Sequence, residues 1–179
     1  GGVETGFKTV NGKKYYFNPN GGAMLTGYMT IDAKKYYLDP KTGEMKTGMQ
    51  TVTLSNGTYT FYFEENGGIY KGFKSIDGKV YYFNSQYGEM VTDTTMVIEN
   101  KKYYFTSDGS ACNGIMYSEK AGASYYFDPA SETGVRTGLQ DFEDATYYFN
   151  PEDGRMNTGF WSIEDRIYFF DSTSGKMAK

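Results

Sequence analysis

An aromatic triplet returns eight times along this chain, and each copy is flanked by a threonine–glycine pair or a close variant of one. The triplets are Tyr15-Tyr16-Phe17, Tyr36-Tyr37-Leu38, Phe61-Tyr62-Phe63, Tyr81-Tyr82-Phe83, Tyr103-Tyr104-Phe105, Tyr125-Tyr126-Phe127, Tyr147-Tyr148-Phe149 and Tyr168-Phe169-Phe170. The pairs are Thr5-Gly6, Thr26-Gly27, Thr47-Gly48, Lys71-Gly72, Thr92-Asp93, Asn113-Gly114, Thr137-Gly138 and Thr158-Gly159. Units this short cannot each enclose a core, so each must bury its apolar side chains on the unit before or after it. The whole chain, 1–179, therefore reads as one array of repeats at 5–25, 26–46, 47–70, 71–91, 92–112, 113–136, 137–157 and 158–178.

Each unit predicts a β-hairpin. In the first, Phe7-Lys8-Thr9-Val10 and Lys13-Lys14-Tyr15-Tyr16-Phe17 flank Asn11-Gly12, the dipeptide favoured where both turn residues need positive φ. Asp77-Gly78 repeats that signal, and Asp32-Ala33, Glu143-Asp144 and Glu164-Asp165 hold the same place with weaker turn chemistry. After the triplets, Asn18-Pro19, Asp39-Pro40, Asp128-Pro129 and Asn150-Pro151 suit the opening of a type I turn and would link one hairpin to the next.

With Asn11-Gly12 as the turn, Val10 faces Lys13, Thr9 faces Lys14, Lys8 faces Tyr15 and Phe7 faces Tyr16, and alternation sorts these residues onto two faces. One face carries Val10, Tyr15 and Phe17, matched by Ile31, Tyr36 and Leu38 and by Ile163, Tyr168 and Phe170. It is the expected core. The other carries Phe7, Thr9, Lys14 and Tyr16, matched by Tyr28, Lys35 and Tyr37 and by Phe73, Val80 and Tyr82. Its mixture of aromatic and polar groups suits a ligand. The candidate binding residues are therefore Phe7, Tyr16, Tyr28, Lys35, Tyr37, Phe73, Tyr82, Tyr104, Tyr148 and Phe160, with purely structural stacking as the competing role for each.

Composition narrows the function. Nineteen tyrosines and 13 phenylalanines must supply the burial that aliphatic side chains give an ordinary domain. A net charge of -4 argues against nucleic acid, which needs a clustered basic face. There is no histidine, Cys112 is the single cysteine, and the carboxylates gather at turns. No acid, base or nucleophile is placed in a defined site, so the chain is not expected to be an enzyme, and no cofactor or metal is implied. Cys112 is read as a small spacer. Met24, Met45, Met90, Met156 and Met177, each just ahead of the next unit, are read as gap-fillers, and Trp161 as a packing or end-cap residue. No apolar run approaches the length of a membrane span, so membrane insertion is not expected.

Unit lengths run 21, 21, 24, 21, 21, 24 and 21. A recurring long unit implies a 66-residue super-period and an all-β solenoid of tandem β-hairpin repeats with about three hairpins per turn. The opening Gly2-Val3-Glu4-Thr5-Gly6 echoes Gly134-Val135-Arg136-Thr137-Gly138, as the tail of a preceding repeat would. The chain is accordingly expected to be part of a longer secreted protein.

Thr-Gly-aromatic, Gly-Lys-Lys-Tyr-Tyr-Phe-Asn and Gly-x-Met-x-Thr-Gly together resemble the cell wall-binding repeat family, which includes choline-binding repeats, the glucan-binding repeats of streptococcal glucosyltransferases and the C-terminal repeats of clostridial toxins. The resemblance covers essentially the whole chain. It implies hairpins wound as a β-solenoid, ligand sites between successive repeats, and a place on secreted proteins of Gram-positive bacteria. In the choline-binding members, an aromatic after glycine, a tryptophan before the tyrosine pair and a neighbouring tyrosine form a cage. Here the first position holds Phe7, Tyr28, Met49, Phe73, Ile115, Leu139 and Phe160, and the second Lys14, Lys35, Thr60, Val80, Lys102, Ser124, Thr146 and Ile167. Neither holds tryptophan. Lysine in place of a cage wall repels a cation and removes a ring face, which argues against choline as the partner.

The resulting expectation is a noncatalytic, cell wall-associated binding module that anchors a secreted bacterial protein to a cell wall polysaccharide, teichoic acid or glucan. Two alternatives stand beside it: a structural spacer or protein-adhesive stalk, in which the tyrosines only stack, and recognition of host glycans in the manner of toxin repeats.

Overall fold

The structure is a computed structural model that describes residues 4–119 and 121–178, so the Gly2-Val3 part of the opening echo lies outside the described residues. All regular structure among these residues is β. The hairpins are β1 (Gly6–Val10) with β2 (Lys13–Phe17), β3 (Gly27–Ile31) with β4 (Lys34–Leu38), β5 (Gly48–Leu54) with β6 (Gly57–Phe63), and β7 (Gly72–Ile76) with β8 (Lys79–Phe83). They continue with β9 (Thr94–Ile98) and β10 (Lys101–Phe105), then β11 (Gly114–Ser118) and β12 (Ala123–Phe127) joined by a short β13 (Val135–Arg136). The last are β14 (Gly138–Phe142) and β15 (Ala145–Phe149) with a short β16 (Met156–Asn157), and β17 (Gly159–Ile163) with β18 (Arg166–Phe170). The chain divides into two compact units, Gly1–Lys74 with Tyr82–Met90, and Ser75–Tyr81 with Val91–Lys179.

The register is the one that the Asn11-Gly12 turn dictates: Phe7 opposes Tyr16, Lys8 opposes Tyr15 and Val10 opposes Lys13, and β3 and β4 repeat the pattern from Tyr28↔Tyr37 to Ile31↔Lys34. Asn11 and Gly12 have φ of 50° and 76°, the left-handed pair that matches strand twist. Asp32 and Ala33 adopt 48° and 64° although alanine has no side chain to compensate for that conformation. Ala33→Gly is therefore expected to stabilise the first unit by about 0.5–1 kcal/mol, seen as a higher urea midpoint at unchanged slope.

Between hairpins, the residue after the triplet forms an Asx turn wherever it is Asn or Asp, at Asn18, Asp39, Asn84, Asp128, Asn150 and Asp171. The Asp39 carboxylate accepts the Lys41 and Thr42 amides at 2.9 Å each, Asn18 Oδ1 accepts Asn20 at 2.8 Å, and Asn150 Oδ1 accepts Glu152 at 2.8 Å. Hydrogen bonds from Thr42 and Lys41 hold the Asp39 carboxyl below its usual range. The chain then returns so that a methionine pairs with the last triplet residue: Phe17↔Met24, Leu38↔Met45, Phe83↔Met90 and Phe170↔Met177. A glycine two positions earlier makes room for the methionine of the previous unit. A Cβ on Gly43 would stand 2.6 Å from Met24 Sδ, and one on Gly175 2.6 Å from Met156 Sδ.

Neighbouring hairpins share very little backbone pairing. The Met45 amide donates to the Lys14 carbonyl at 2.7 Å, Met90 to Thr60 at 2.7 Å, Ala111 to Val80 at 2.6 Å and Met177 to Thr146 at 2.8 Å. Side chains carry the rest of each junction, and one rule governs them. The second triplet residue of one hairpin packs on the core ring of the next: Tyr37 on Phe63 at 6.1 Å, Tyr62 on Phe83 at 6.0 Å, Tyr104 on Phe127 at 5.8 Å, Tyr126 on Phe149 at 6.0 Å and Tyr148 on Phe170 at 5.9 Å. The third triplet residue is sealed in every hairpin but the first: Leu38, Phe63, Phe83, Phe105, Phe127, Phe149 and Phe170 are all 0 % exposed, while Phe17 is half-buried.

The two 24-residue units solve their extra length differently. In the third, β5 and β6 grow to seven residues each. In the sixth, β11 and β12 keep five residues and the hairpin loop and the following connection lengthen instead. Equal unit lengths therefore do not mean equal local structure.

Candidate functional site

The face expected to bind ligand is half-buried, because each hairpin lays it against the next one. Phe7 lies 4.7 Å from Tyr16 and 5.1 Å from Tyr36, and both Phe7 and Tyr16 pack against the cluster of Ile31, Tyr36, Leu38 and Met45. Tyr28 stacks on Phe61 at 5.4 Å, and burial, followed by the nearby Glu89 charge, pushes its phenol up from the ordinary value. Phe73 meets Tyr82 at 4.8 Å, and Tyr82 is buried. Tyr104 joins the cluster of Tyr125, Phe127 and Val135, while Tyr148 lies between Trp161 and Phe170. The candidates come together within hairpins, as Phe7 with Tyr16 and Tyr28 with Lys35 and Tyr37, and not as one pocket. Phe160 differs from the others. It is 76 % exposed, 4.8 Å from Phe169, and shares its face with the exposed Ile167.

Cations lie on these rings. Lys14 Nζ stands 5.2 Å from the Phe7 centroid and Lys35 Nζ 5.1 Å from that of Tyr28. Lys102 Nζ is 4.1 Å from Tyr125 and also donates to the Asp153 carbonyl at 3.4 Å. The Arg136 guanidinium covers Tyr126 at 5.7 Å while its Nε and Nη2 donate to Asp128 at 2.7 Å each. Lys74 Nζ lies 4.3 Å from Tyr62 and 4.5 Å from Tyr70. Lysine at the second cage position thus does not take the place of an aromatic wall. Its flexible stem lays the ammonium over a ring, that of the first position for Lys14 and Lys35 and that of Tyr125 for Lys102.

Lys74, Tyr70 and Tyr117 were not among the residues singled out from the sequence. A signal for Lys74 existed, since it falls on the face otherwise given to core side chains, at the place of Lys8 in the first unit. Tyr117, 55 % exposed, borders a cleft of about 450 Å³ together with Tyr104, Asp93, Thr95 and Glu119. That cleft presents two phenols and two carboxylates. Trp161, expected to pack, lies against Tyr148 at 5.8 Å and donates its Nε1 hydrogen to the Thr158 carbonyl at 2.9 Å. Cys112 packs beside the Tyr125 cluster, and burial raises its thiol pKa, consistent with an inert spacer.

The choline-binding repeat profile matches residues 4–49, 95–137 and 136–179, and a cell wall binding repeat profile matches residues 71–86. Among solved structures, choline binding protein F from Streptococcus pneumoniae superposes with a TM-score of 0.66 at 27 % identity, over 93 % of this chain and 55 % of that one. The same protein soaked with ipratropium gives 0.66 at 26 % identity over 93 % and 57 %. Its structure in the presence of a peptidoglycan analogue, a tetrasaccharide-pentapeptide, gives 0.50 at 26 % identity over 98 % and 52 %. The chain thus spans about half the length of these proteins. No curated protein sequence matches it.

These matches correct one expectation. Choline was set aside as a partner because tryptophan is missing from both cage positions, yet the repeat that matches most of the chain is the choline-binding one. Tryptophan missing from two positions does not decide the ligand, because ring faces can come from elsewhere in the repeat. In this fold, tyrosine rings from other positions hold an ammonium group, as Tyr62 and Tyr70 do for Lys74. Since the profile spans most of the sequence and the hairpins superpose on those of a choline-binding protein, the chain belongs to the choline-binding repeat family.

Proposed function

We propose that the chain is a noncatalytic module that holds a secreted protein on a bacterial envelope polymer by gripping choline-type quaternary ammonium groups. The observation that carries this reading is the recurrent placement of cationic groups on aromatic rings, from Lys14 on Phe7 to Lys102 on Tyr125. Rings that hold the chain's own ammonium groups offer the same attraction to an external one. The cleft of Tyr104, Tyr117, Asp93 and Glu119 adds two carboxylates to two phenols, a lining that favours a cation over a neutral sugar. The neighbouring protein soaked with ipratropium, itself a quaternary ammonium ion, supports the same class of ligand. Several weak sites along one polymer would act by avidity, because every contact after the first is intramolecular. Winding of the hairpins as a solenoid with about three per turn belongs to this reading and rests on the recurring long unit.

A second reading, contact with the glycan strand itself, is favoured by the neighbour studied with a tetrasaccharide-pentapeptide. Sedimentation with purified Gram-positive cell walls separates the two. The proposal expects the chain in the pellet and its release by millimolar choline. Retention that choline leaves intact would favour the glycan strand, and no retention would overturn both.

A further inference from the structure

One groove is built twice along this array, at the same place in the repeat, and its charge differs between the two copies. In the first, Lys34 and Lys35 at the start of β4 line a cleft of about 270 Å³ together with Glu64, Lys71, Gln86 and Tyr87 from the connections after β6 and β8. The second, of about 280 Å³, is lined by Lys102, Thr137, Glu152 and Asp153. Lys102 stands where Lys35 does, directly before a tyrosine pair, and Thr137 stands where Lys71 does, directly before a glycine. Glu152 and Asp153 follow Asn150 as Gln86 and Tyr87 follow Asn84. Among the described residues, the first copy therefore sets three lysines against one carboxylate, and the second sets one lysine against two. The lone lysine of the second copy is already engaged, with Nζ 4.1 Å from the Tyr125 centroid and donating to the Asp153 carbonyl at 3.4 Å. In the first copy much of the charge is left over. Lys35 rests on Tyr28, but Lys34 is exposed and has no ion pair among the described residues. Lys71 Nζ donates one hydrogen to the Gln86 carbonyl at 2.7 Å, which holds its head across the groove and leaves two hydrogens to give. Asn66, also in the lining, accepts the Gly68 amide on Oδ1 at 2.8 Å, so its NH2 end remains a donor.

We infer that the first groove binds a phosphate group, with Lys34 and Lys71 supplying the charge and the Asn66 amide a neutral donor. This site takes a ligand of the opposite sign to the one given to the aromatic faces, so it stands apart from them. Lysine is a flexible point charge that suits phosphate, and N–H donors arriving from separate segments suit an oxyanion that accepts from every side. One water takes about 30 Å³, so the cleft has room for a phosphate with a short ester arm. Tyr87, 56 % exposed, then offers its ring and hydroxyl to whatever the phosphate is attached to. On a chain of net charge -4, a local excess of lysine makes this groove a place where an anion is attracted and not repelled. The second groove, with Glu152 and Asp153 in place of Gln86 and Tyr87, has the same architecture without that attraction.

The test follows amide shifts and the Tyr87 ring by NMR while inorganic phosphate, the diester glycerophosphoglycerol and, as a carboxylate control, acetate are titrated into the full chain at constant ionic strength. Saturable shifts are expected at Gly68, Gln86 and Tyr87 with phosphate, and none at Thr137 and Asp153 in the second groove. Lys34→Gln, a change at an exposed side chain without a partner, should weaken binding about fivefold. Adding Lys71→Gln should abolish saturation, and Glu64→Gln should tighten binding in the native background. A diester that binds at least as tightly as inorganic phosphate makes the ligand part of a polymer, whereas binding of inorganic phosphate alone makes it a free anion, and both results keep the site. Shifts that grow without saturating, that acetate reproduces, or that persist in the double variant with a native amide spectrum would overturn it. Release of the chain from cell walls by choline is a separate readout. A chain that sediments with walls and shows no saturation here loses this site alone, and one that binds phosphate here and ignores walls keeps it and loses the anchoring function.

Discussion

Gly134→Ala is expected to unfold the second unit or to lower its stability by about 3 kcal/mol or more. The Lys102 amide donates to the Thr133 carbonyl at 2.7 Å, which draws the two backbones together. A Cβ on Gly134 would stand 2.7 Å from the Lys102 amide nitrogen and closer still to its carbonyl oxygen. Both are main-chain atoms of β10, so nothing can rotate aside. Gly134 also has φ of 80°, where an L side chain is strained even in open space. Gly138→Ala provides the control. Its φ is 74° and its Cβ would meet nothing within 4 Å, so it should show only the conformational cost of about 1–2 kcal/mol. Urea unfolding of the two variants side by side checks the difference, and equal losses would mean that the close approach to Lys102 contributes nothing.

Phe63→Ala should cost about 3–5 kcal/mol and carry a second consequence at the neighbouring hairpin. Phe63 is 0 % exposed and belongs to the cluster of Val52, Phe61 and Phe63, against which Tyr28 and Tyr37 of the preceding unit pack. Tyr28 reaches it edge-on at 6.5 Å and Tyr37 stacks on it at 6.1 Å. Removing the ring leaves a cavity beneath both tyrosines, and with it the support for the Lys35–Tyr28 contact. In an array whose stability is a sum of nearest-neighbour terms, the damage should concentrate at this junction. Hydrogen exchange should accelerate most over Gly27–Leu38 and Gly48–Phe63 and least at β17 and β18. Uniform acceleration across the chain would contradict a nearest-neighbour architecture.

The same geometry limits what a tyrosine deletion can reveal. Tyr37→Ala looks from the sequence like a clean way to separate ligand binding from stacking, because Tyr37 lies on the more polar face. In the structure Tyr37 stacks on Phe63 with planes 24° apart, so its loss would destabilise the junction under either role. Phe160, 76 % exposed, is the better probe of a binding role.

Much of the fold was legible because its signals are local. Asn11-Gly12 fixed the turn, the turn fixed the register, and alternation then placed Phe7 opposite Tyr16 and Lys8 opposite Tyr15. Period-two reasoning could not say which neighbour's ring would cover a face. It assigned Tyr15 and Phe17 to the core and left Tyr16 free for ligand, whereas stacking buries part of both faces. Side chains with long flexible stems were hidden for a related reason. Where the ammonium groups of Lys74 and Lys102 end up depends on rings brought near by the tertiary structure, and sequence spacing does not encode that distance. The two long units show the limit of counting, because the extra length lies in lengthened strands in one and in the loops of the other. The choline correction has the same root. Single motif positions do not reveal rings that gather from several positions, as Tyr62 and Tyr70 do beside Lys74.

Whether aromatic rings in this array bind a cationic ligand is decided by a paired thermal titration. Choline and its uncharged isostere 3,3-dimethylbutan-1-ol have nearly the same shape, so only charge separates them. A ligand that binds the folded chain alone stabilises it by about 2.7 kcal/mol per site at a hundredfold excess over Kd. Tm should rise with choline concentration and stay unchanged with the isostere. Equal rises would place the recognition in apolar packing, and no rise with choline at concentrations that saturate weak millimolar sites would mean that these rings bind no such cation.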